Sequence, residues 1–236
     1  MVIKKCPTFF CLVALAIALV APCTVHGGQM STLLTTGFEP FGGNEINESW
    51  LVAQCLKGKY FNNTEIVSEQ LPVAWNKASV KLHDIIRKYK PSAVISFGQS
   101  YTEAVRLETT ARNQRARLPD NEGVTPELLS IYNPAPPTMT TGLPLREIEK
   151  RLTAAGIPVI ISQDAGTYLC NETFYTLMFD PGLSETRNVP RGFIHVPPLN
   201  TVVKRNDGSS MIFDRETLQK VAEIVTQSVV DSMDRY

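Results

Sequence analysis

The sequence has few cysteines and histidines, which are common catalytic groups and metal ligands: five cysteines and three histidines among 236 residues. It also has no net charge, because 23 basic residues balance 23 acidic ones. A balanced charge gives no electrostatic basis for binding nucleic acid or an anionic lipid surface. The cysteines and histidines do not follow the spacing of a metal site, so no metal site is predicted.

The first 29 residues are unlike the rest of the chain. The stretch "MVIKK" is basic, "FFCLVALAIALVA" is apolar, and "PCTVHGGQ" is rich in small and polar residues. This order is typical of a secretory signal peptide, and the small residues Val25 and Gly27 predict cleavage after Gly27. We therefore predict a signal peptide at 1–27 and a single domain at 28–236, exported to a periplasm or secreted.

Two other interpretations of this leader stay open. One is an uncleaved anchor, although the apolar part is short for a membrane span, so no stable membrane insertion is expected after cleavage. The other is a lipid anchor at Cys23, which Pro22 disfavours because it fits a lipoprotein signal poorly.

Removal of the leader leaves very few reactive groups. The mature chain keeps two cysteines, Cys55 and Cys170, and two histidines, His83 and His195. It has 21 basic and 23 acidic residues, which gives a formal charge of −2. Two cysteines in an exported protein allow one disulfide but not a disulfide scaffold. Any chemistry that combines cysteine with histidine therefore has only these candidates.

Strand patterns alternate with helical patterns along the chain, which predicts an α/β fold with three layers, an α/β/α sandwich, around a mostly parallel twisted sheet. Ser49 is a candidate cap for the first helix. Residues 112–143 have no periodic pattern, and long irregular segments are often functional. The predicted strands are 32–36, 65–73, 92–98, 104–111, 157–162 and 191–199, and the predicted helices are 49–56, 75–89, 144–155, one containing Cys170 and one from about Asp214.

In such sheets, functional groups gather at the carboxyl ends of the strands. Three segments bring polar or reactive residues to such a position: "TTGFEPFGG", "ISQDAGTYLC" and "FIHVPP". Cys170 lies where a strand gives way to a helix. The unpaired N–H groups and the dipole of a helix start favour the thiolate and can hold an oxyanion. The commoner role of such a cysteine is that of a small buried hydrophobe.

A cysteine nucleophile needs a base and a third group that orients the base. His195 lies in an apolar strand, whereas His83 lies on the solvent-facing rim of a helix and is the poorer candidate. Glu108 interrupts a strand-like segment and is a candidate for the third group. A hydrogen-bonded core histidine and an ordinary strand glutamate are the structural alternatives.

Five blocks of the sequence, in the same order along the chain, resemble the pyroglutamyl peptidase I family, the pyrrolidone-carboxylate peptidases. "TGFEPFGGNEINESW" resembles the family's N-terminal motif, TGFxPFGG followed by N-x-S-W. "ISFGQ" resembles a strand that ends in G-Q, and "LPDNEG" after Arg117 resembles R-x-x-DNEG. "SQDAGTYLCN" and "GFIHVPPL" resemble the cysteine and histidine motifs. The resemblance implies a fold like that of nucleoside phosphorylases.

The resemblance implies the roles of individual residues. It assigns catalysis to Glu108, Cys170 and His195 and support of the oxyanion region to Arg117. It also places Phe38 and Phe41 beside the lactam ring of the substrate, with Gln99 in the nearby loop. Core packing is the alternative role for both phenylalanines, and a plain surface position is the alternative for Arg117.

The glutamate is the least certain assignment. The family usually shows E-[RK] at this point, whereas this chain has "LETTARN". Glu103 is therefore the fallback.

The implied reaction removes an N-terminal pyroglutamyl residue from a peptide through a thioacyl-enzyme and needs no metal or cofactor. The expected partners are peptides that begin with pyroglutamate, and a homo-oligomer is possible because the family contains tetramers and monomers. The alternatives are an exported non-catalytic binder of such peptides and an enzyme similar to nucleoside phosphorylases. A phosphate loop at "GFEPFGG" is disfavoured because it lacks both G-x-G-x-x-G and the Walker lysine.

Two further expectations depend on Cys170. A bridge between Cys55 and Cys170 would consume the nucleophile, so both thiols are expected to be free. The glycosylation motif "NET" begins at Asn171, where a glycan would block the site. We therefore expect export from a bacterial cell rather than passage through a eukaryotic secretory route.

Overall fold

The computed structural model describes residues 1–2, 30–186, 188–204 and 208–233. For residues 184–186 this description covers the backbone alone. The predicted signal peptide at 1–27 therefore lies almost wholly outside the described residues, as does Cys23. Within the described ranges, no helix combines the length and apolar character needed to cross a bilayer.

Eleven strands and five α-helices are present in the described residues. The strands are β1 (Ser31–Phe38), β2 (Tyr60–Phe61), β3 (Thr64–Leu71), β4 (Ala93–Gln99), β5 (Val105–Glu108), β6 (Thr110–Arg112), β7 (Thr138–Thr140), β8 (Val159–Ser162), β9 (Arg191–Val196), β10 (Thr201–Lys204) and β11 (Ser210–Phe213). The helices are α1 (Glu48–Gln54), α2 (Lys77–Tyr89), α3 (Leu145–Ala154), α4 (Leu169–Phe179) and α5 (Arg215–Met233), with a short 3₁₀ helix at Pro181–Thr186.

The central sheet has seven strands in the order β2-β3-β1-β4-β9-β5-β8. Neighbours are parallel in the pairs β1–β3, β1–β4, β4–β9 and β5–β8. They are antiparallel in β2–β3 and β5–β9. The predicted mostly parallel sheet is confirmed. However, β5 and β8 are antiparallel to β9. The strand β8, which leads into "ISQDAGTYLC", therefore ends at the edge of the sheet opposite to the carboxyl end of β9.

Helices cover both faces of the sheet, which confirms the three-layer α/β/α arrangement. On one face, α1, α3 and α5 pack on alternate strand residues, among them Leu33, Ile95 and Ile194. On the other face, α2 and α4 pack on the intervening residues, among them Leu34 and Phe193. Strand residues buried on both faces are expected for parallel strands that are covered by helices.

Two local predictions need correction. The cap of α1 is Asn47, whose Oδ1 accepts a hydrogen bond from the Ser49 N–H at 3.1 Å. Ser49 instead donates its own hydroxyl to that oxygen and accepts the N–H of Phe38. The predicted strand 104–111 is interrupted at Thr109, which separates β5 from β6.

The segment 112–143 is irregular over most of its length, as predicted, but short strands lie at its two ends. β6 and β7 pair antiparallel, with Ala111 opposite Met139. The Asn113 side chain accepts the N–H groups of Ile131 and Tyr132 at 2.8 and 2.9 Å. Hydrogen bonds from side chains therefore hold this segment in place where it forms no regular helix or strand.

A buried ion pair fastens α4 to the loops around it. Glu172 is fully buried, and its Oε1 accepts hydrogen bonds from the guanidinium of Arg115 at 2.9 Å and the hydroxyl of Ser79 at 3.1 Å. The backbone N–H of Asn76 reaches the same oxygen at 3.2 Å. One carboxylate thus connects α4 with α2 and with the loop before "LPDNEG".

We predict that Glu172→Ala lowers the free energy of unfolding by about 3–5 kcal/mol, because it leaves the buried guanidinium of Arg115 without its counter-charge. Arg146→Ala is the control, since it removes an exposed pair with Glu149 and is expected to change stability by less than about 0.5 kcal/mol. Chemical denaturation of the two variants measures the difference. Equal stabilities would contradict this role for Glu172.

Candidate active site

His195 and Glu108 meet across the antiparallel pair β9 and β5. The Nδ1 atom of His195 lies 2.9 Å from Oε1 of Glu108. His195 is 5 % exposed and Glu108 is fully buried. In this register Glu108 faces Phe193, and residue 195 faces Arg106. Because Nδ1 is engaged by the carboxylate, Nε2 of His195 is left for a second partner.

That second partner is Cys170, the second residue of α4, whose thiol lies close enough to His195 to raise the pKa of the imidazole. The chain reaches this position from the end of β8 through a turn in which Gly166 has a φ of +77°. The first intrahelical bond of α4 runs from the N–H of Glu172 to the carbonyl of Tyr168. The N–H of Cys170 precedes that bond, so it is one of the free donors that a helix start offers.

Asn171 fixes the start of this helix. Its side chain accepts the N–H of Arg112 and donates to the carbonyls of Arg112 and Gln114, each at 2.8 Å. Asn171 is fully buried. The residues that follow Cys170, Asn171 and Glu172, thus tie the helix start to β6 and to neighbouring loops.

The electrostatics of the three groups favour a charged histidine. Burial alone lowers the pKa of His195, but hydrogen bonds to Cys170 and Glu108 and the charges of both partners raise it to about 9. Burial alone raises the pKa of Glu108, but its bonds to His195, Ser162 and Arg106 bring it below its ordinary value. These contacts therefore favour the imidazolium form of His195 beside the carboxylate form of Glu108.

A pocket of about 270 Å³ opens beside Cys170. Two of its walls are aromatic, since Phe38 is 2 % exposed and Phe41 is half-buried. Oε1 of Gln99 is buried and has no hydrogen-bond partner in the described part of the protein. No charged side chain is among the residues that line the pocket, which are Phe38, Phe41, Asn47, Val73, Gln99, Tyr168, Leu169 and Cys170.

Gly98 makes room for the histidine. A Cβ atom at this position would lie 2.7 Å from the ring of Phe193 and 2.9 Å from Cδ2 of His195. Only glycine allows the two strands to hold the imidazole this close. The pair "GQ" at the end of β4 therefore combines a contact that requires glycine with a side chain that lines the pocket.

The remaining candidates lie elsewhere. Glu103 is exposed and precedes β5, whereas the buried Glu108 reaches His195. His83 lies beside Gly182, which follows the C-terminal end of α4. Cys170 lies at the N-terminal end of the same helix, so the length of α4, about 15 Å, separates the two residues. Arg117 is exposed, and the buried arginine of this region is Arg115.

Sequence reasoning missed Arg106, which donates to Glu108 at 3.1 Å, and the anchoring role of Asn171. The alternation of strand residues offered a signal for Arg106, because residues 106 and 108 emerge on one face of a strand. Among the described residues, Cys55 and Cys170 are free thiols. Within the described ranges, no group of three or more histidine, cysteine or carboxylate side chains is arranged to hold a metal.

Comparison with known proteins places this geometry in a family. A family model described as pyroglutamyl peptidase matches residues 31–230. The pyrrolidone-carboxylate peptidase of Bacillus cereus (strain Q1) is 35 % identical over 210 residues, which are 87 % of this chain and 97 % of the relative. That of Bacillus cytotoxicus is 38 % identical over 170 residues, 71 % of this chain and 79 % of the relative.

Solved structures agree with this result. The crystal structure of Bacillus amyloliquefaciens pyroglutamyl peptidase I has a TM-score of 0.77 and 32 % identity, and the alignment covers 86 % of this chain and 98 % of that one. The pyrrolidone carboxyl peptidase of Thermococcus litoralis also has a TM-score of 0.77 and 32 % identity, with 87 % and 96 % covered. The chain therefore belongs to the pyroglutamyl peptidase family of cysteine peptidases and is a hydrolase.

Proposed function

We propose that the chain removes N-terminal pyroglutamate from peptides with Cys170 as nucleophile, His195 as general base and acid, and Glu108 as the group that orients His195. The observation that carries this proposal is the 2.9 Å hydrogen bond between Glu108 and His195 together with the position of Cys170, which interacts electrostatically with His195 and lines a pocket without a charged side chain among its walls. A nucleophile, a base and an orienting carboxylate in sequence are the arrangement that acyl transfer needs.

In the proposed reaction, His195 holds the proton of the Cys170 thiol as an imidazolium, and the Cys170 thiolate attacks the peptide carbonyl outside the lactam ring. The backbone N–H of Cys170 is the first donor to the resulting oxyanion, because it lies at the free start of α4. The resemblance adds Arg117 to this region, and its exposed side chain makes it secondary in our proposal. Collapse of the intermediate breaks the C–N bond as His195 protonates the departing amine.

The second half of the reaction reverses these roles. Water attacks the thioester after His195 removes one of its protons, and the thiolate leaves. The product is 5-oxoproline, and the proton returns to the Cys170–His195 pair. Glu108 stays ionised throughout and balances the imidazolium, as the acid of a catalytic triad does.

The pocket supports pyroglutamate as the residue that is removed. The lactam has no ammonium group, so a pocket without a charged side chain is suited to it. Phe38 and Phe41 are proposed to hold the two faces of the ring, and the unpartnered Oε1 of Gln99 to accept the lactam N–H. A free N-terminal glutamate or glutamine would have to leave its ammonium group without a counter-charge there, which is costly.

Neither alternative function has a specific observation in its favour. A reaction similar to that of nucleoside phosphorylases needs a site for phosphate, and no basic side chain lines the pocket. A non-catalytic binder does not need the contact between His195 and Cys170.

We predict that Cys170→Ser abolishes cleavage of a fluorogenic pyroglutamyl-coumarin substrate without unfolding the protein, because a serine hydroxyl does not ionise near neutral pH. Cys55→Ser is the matched control and is expected to keep full activity, since Cys55 lies at the end of α1 and donates to the carbonyl of Val52. Turnover by Cys170→Ser above about a tenth of wild type excludes Cys170 as the nucleophile.

We predict that Glu108→Gln lowers kcat/KM about 100-fold, a smaller loss than that of Cys170→Ser. An amide can still accept a hydrogen bond from His195 but cannot balance its charge, so the pKa of His195 falls. The alkaline limb of the pH profile therefore moves to lower pH. Glu103→Gln is the control and is expected to match wild type, and the reverse result would assign the orienting role to Glu103.

We also propose that residues 1–27 are a signal peptide and that the mature protein is exported from a bacterial cell. The family match begins at residue 31, beyond this segment. The buried, fully bonded amide of Asn171 leaves no place for a glycan on the folded protein. N-terminal sequencing of the protein from fractionated native cells is expected to give a start near Gly28 outside the cytoplasm. An intact Met1 or Val2 in the cytoplasmic fraction would contradict export.

A further inference from the structure

The guanidinium of Arg106 joins two parts of the site. Its Nε donates to Oε1 of Glu108 at 3.1 Å. One of its terminal nitrogens donates to the hydroxyl of Ser162 at 2.6 Å and to the carbonyl of Asp164 at 2.8 Å. The Arg106 side chain is 24 % exposed, whereas Glu108 is fully buried. A planar, forked donor can make such contacts in two directions at once, which a lysine ammonium cannot reproduce.

The strand register makes this reach possible. Residues 106 and 108 of β5 lie on the same face because strand side chains alternate. The parallel neighbour β8 sets Ser162 beside Glu108. The carboxylate that orients His195 and the last residue of β8 are therefore both within reach of one guanidinium.

The second contact acts on the segment that carries the nucleophile. Residues 163–168 lead from Ser162 to the start of α4, and Cys170 is the second residue of that helix. Arg106 holds the backbone of this segment at Asp164, and the Asp164 carboxylate accepts the N–H of Gly166 at 3.1 Å. The first turn after β8 is thus fixed from β5.

The first contact acts on the orienting carboxylate. Oε1 of Glu108 accepts from both Arg106 and His195, whereas its Oε2 is buried without a partner in the described part of the protein. A single oxygen with two charged donors has a defined position between them. The residue directly after Glu108 is Thr109, whose hydroxyl donates to the carbonyl of Ser162 at 3.0 Å, so the cation that contacts Glu108 besides His195 is Arg106.

We propose that Arg106 is a positioning residue, which holds Glu108 against His195 and fixes the loop that brings Cys170 to the same histidine. This inference rests on the proposed roles of Glu108, His195 and Cys170. Arg106 does not line the pocket, so its effect belongs to the chemical step rather than to peptide binding.

The experiment compares wild type, Arg106→Met, Arg106→Lys and Arg112→Met in kcat and KM for pyroglutamyl-coumarin between pH 5 and 10. Arg106→Met is expected to lower kcat about tenfold or more, the effect of losing a hydrogen bond to a charged group, while KM changes less than about threefold. Removal of a positive charge makes nearby protons harder to lose, so both limbs of the pH profile move to higher pH. Glu108→Gln moves the alkaline limb in the opposite direction.

The other two variants separate charge from geometry. Arg106→Lys keeps the charge but not the fork, so its pH limbs are expected to match wild type while kcat stays reduced. Arg112→Met removes a guanidinium that also contacts Asp164, at 3.0 Å, but makes no hydrogen bond or ion pair with Glu108 in the described part of the protein. It is expected to keep kcat within about twofold of wild type and the pH limbs unchanged.

Three results would overturn the inference. The first is a wild-type kcat for Arg106→Met. The second is an Arg106→Met variant with a lowered kcat and a lowered melting temperature but unmoved limbs of the pH profile. The third is a wild-type kcat for Arg106→Lys. The last result applies even if Arg106→Met does not fold. Inactive wild-type protein, or an active Cys170→Ser variant, would instead refute the proposed function and is distinguishable from all three.

Discussion

The hydrogen bond between Glu108 and His195 is the contact on which the site depends. Both side chains are buried, so each charge needs the other to offset the loss of water. The contact exists because β5 pairs antiparallel with β9, next to the edge strand β8 of the sheet. With Nδ1 held in this way, the opposite nitrogen of the ring is left for another partner, and Cys170 is the other group that raises the pKa of His195.

The nucleophile is fixed by the residues that follow it rather than by its own contacts. Asn171 bonds to β6 and Glu172 bonds to Arg115, and both are fully buried. Each makes buried hydrogen bonds to other elements, so the first turn of α4 cannot rotate without breaking them. The position of the thiol thus depends on long-range polar contacts, which set its distance from His195 more tightly than apolar packing alone.

The sequence predicted the layers of the fold and the segments of the site, but not the directions of all the strands. Apolar alternation over four residues, as in β5 or β8, has the same pattern for either direction of the strand. The cap at Asn47 was missed because Ser49, two residues later, is an equally good cap by residue type. β6 and β7 have three residues each, too few for a period to appear.

The contacts of Arg106 show a further limit. Its pairing with Glu108 follows from the spacing of two residues, but its partners at Ser162 and Asp164 lie 56 and 58 residues away. No local pattern contains that information, since it arises from the pairing of β5 with β8. Residues that act through a distant backbone carbonyl are therefore visible only once the fold is known.

The charged side chains of the site and the pocket proposed to bind the substrate lie in different regions. Its charged groups, Arg106, Glu108 and His195, lie on the sheet behind the thiol, whereas the pocket in front of the thiol has no charged side chain. Cys170 lies at the boundary of the two regions and is the one residue that belongs to both. A thiolate at this boundary has its charge stabilised from behind, so it needs no cation in the pocket. The pocket can then remain neutral, which is the property that suits a lactam without an ammonium group. With the proposed roles, selectivity and reactivity can be tested with different variants, because changes at Phe38, Phe41 or Gln99 are expected to alter what binds, and changes at Arg106 how readily the bound carbonyl is attacked.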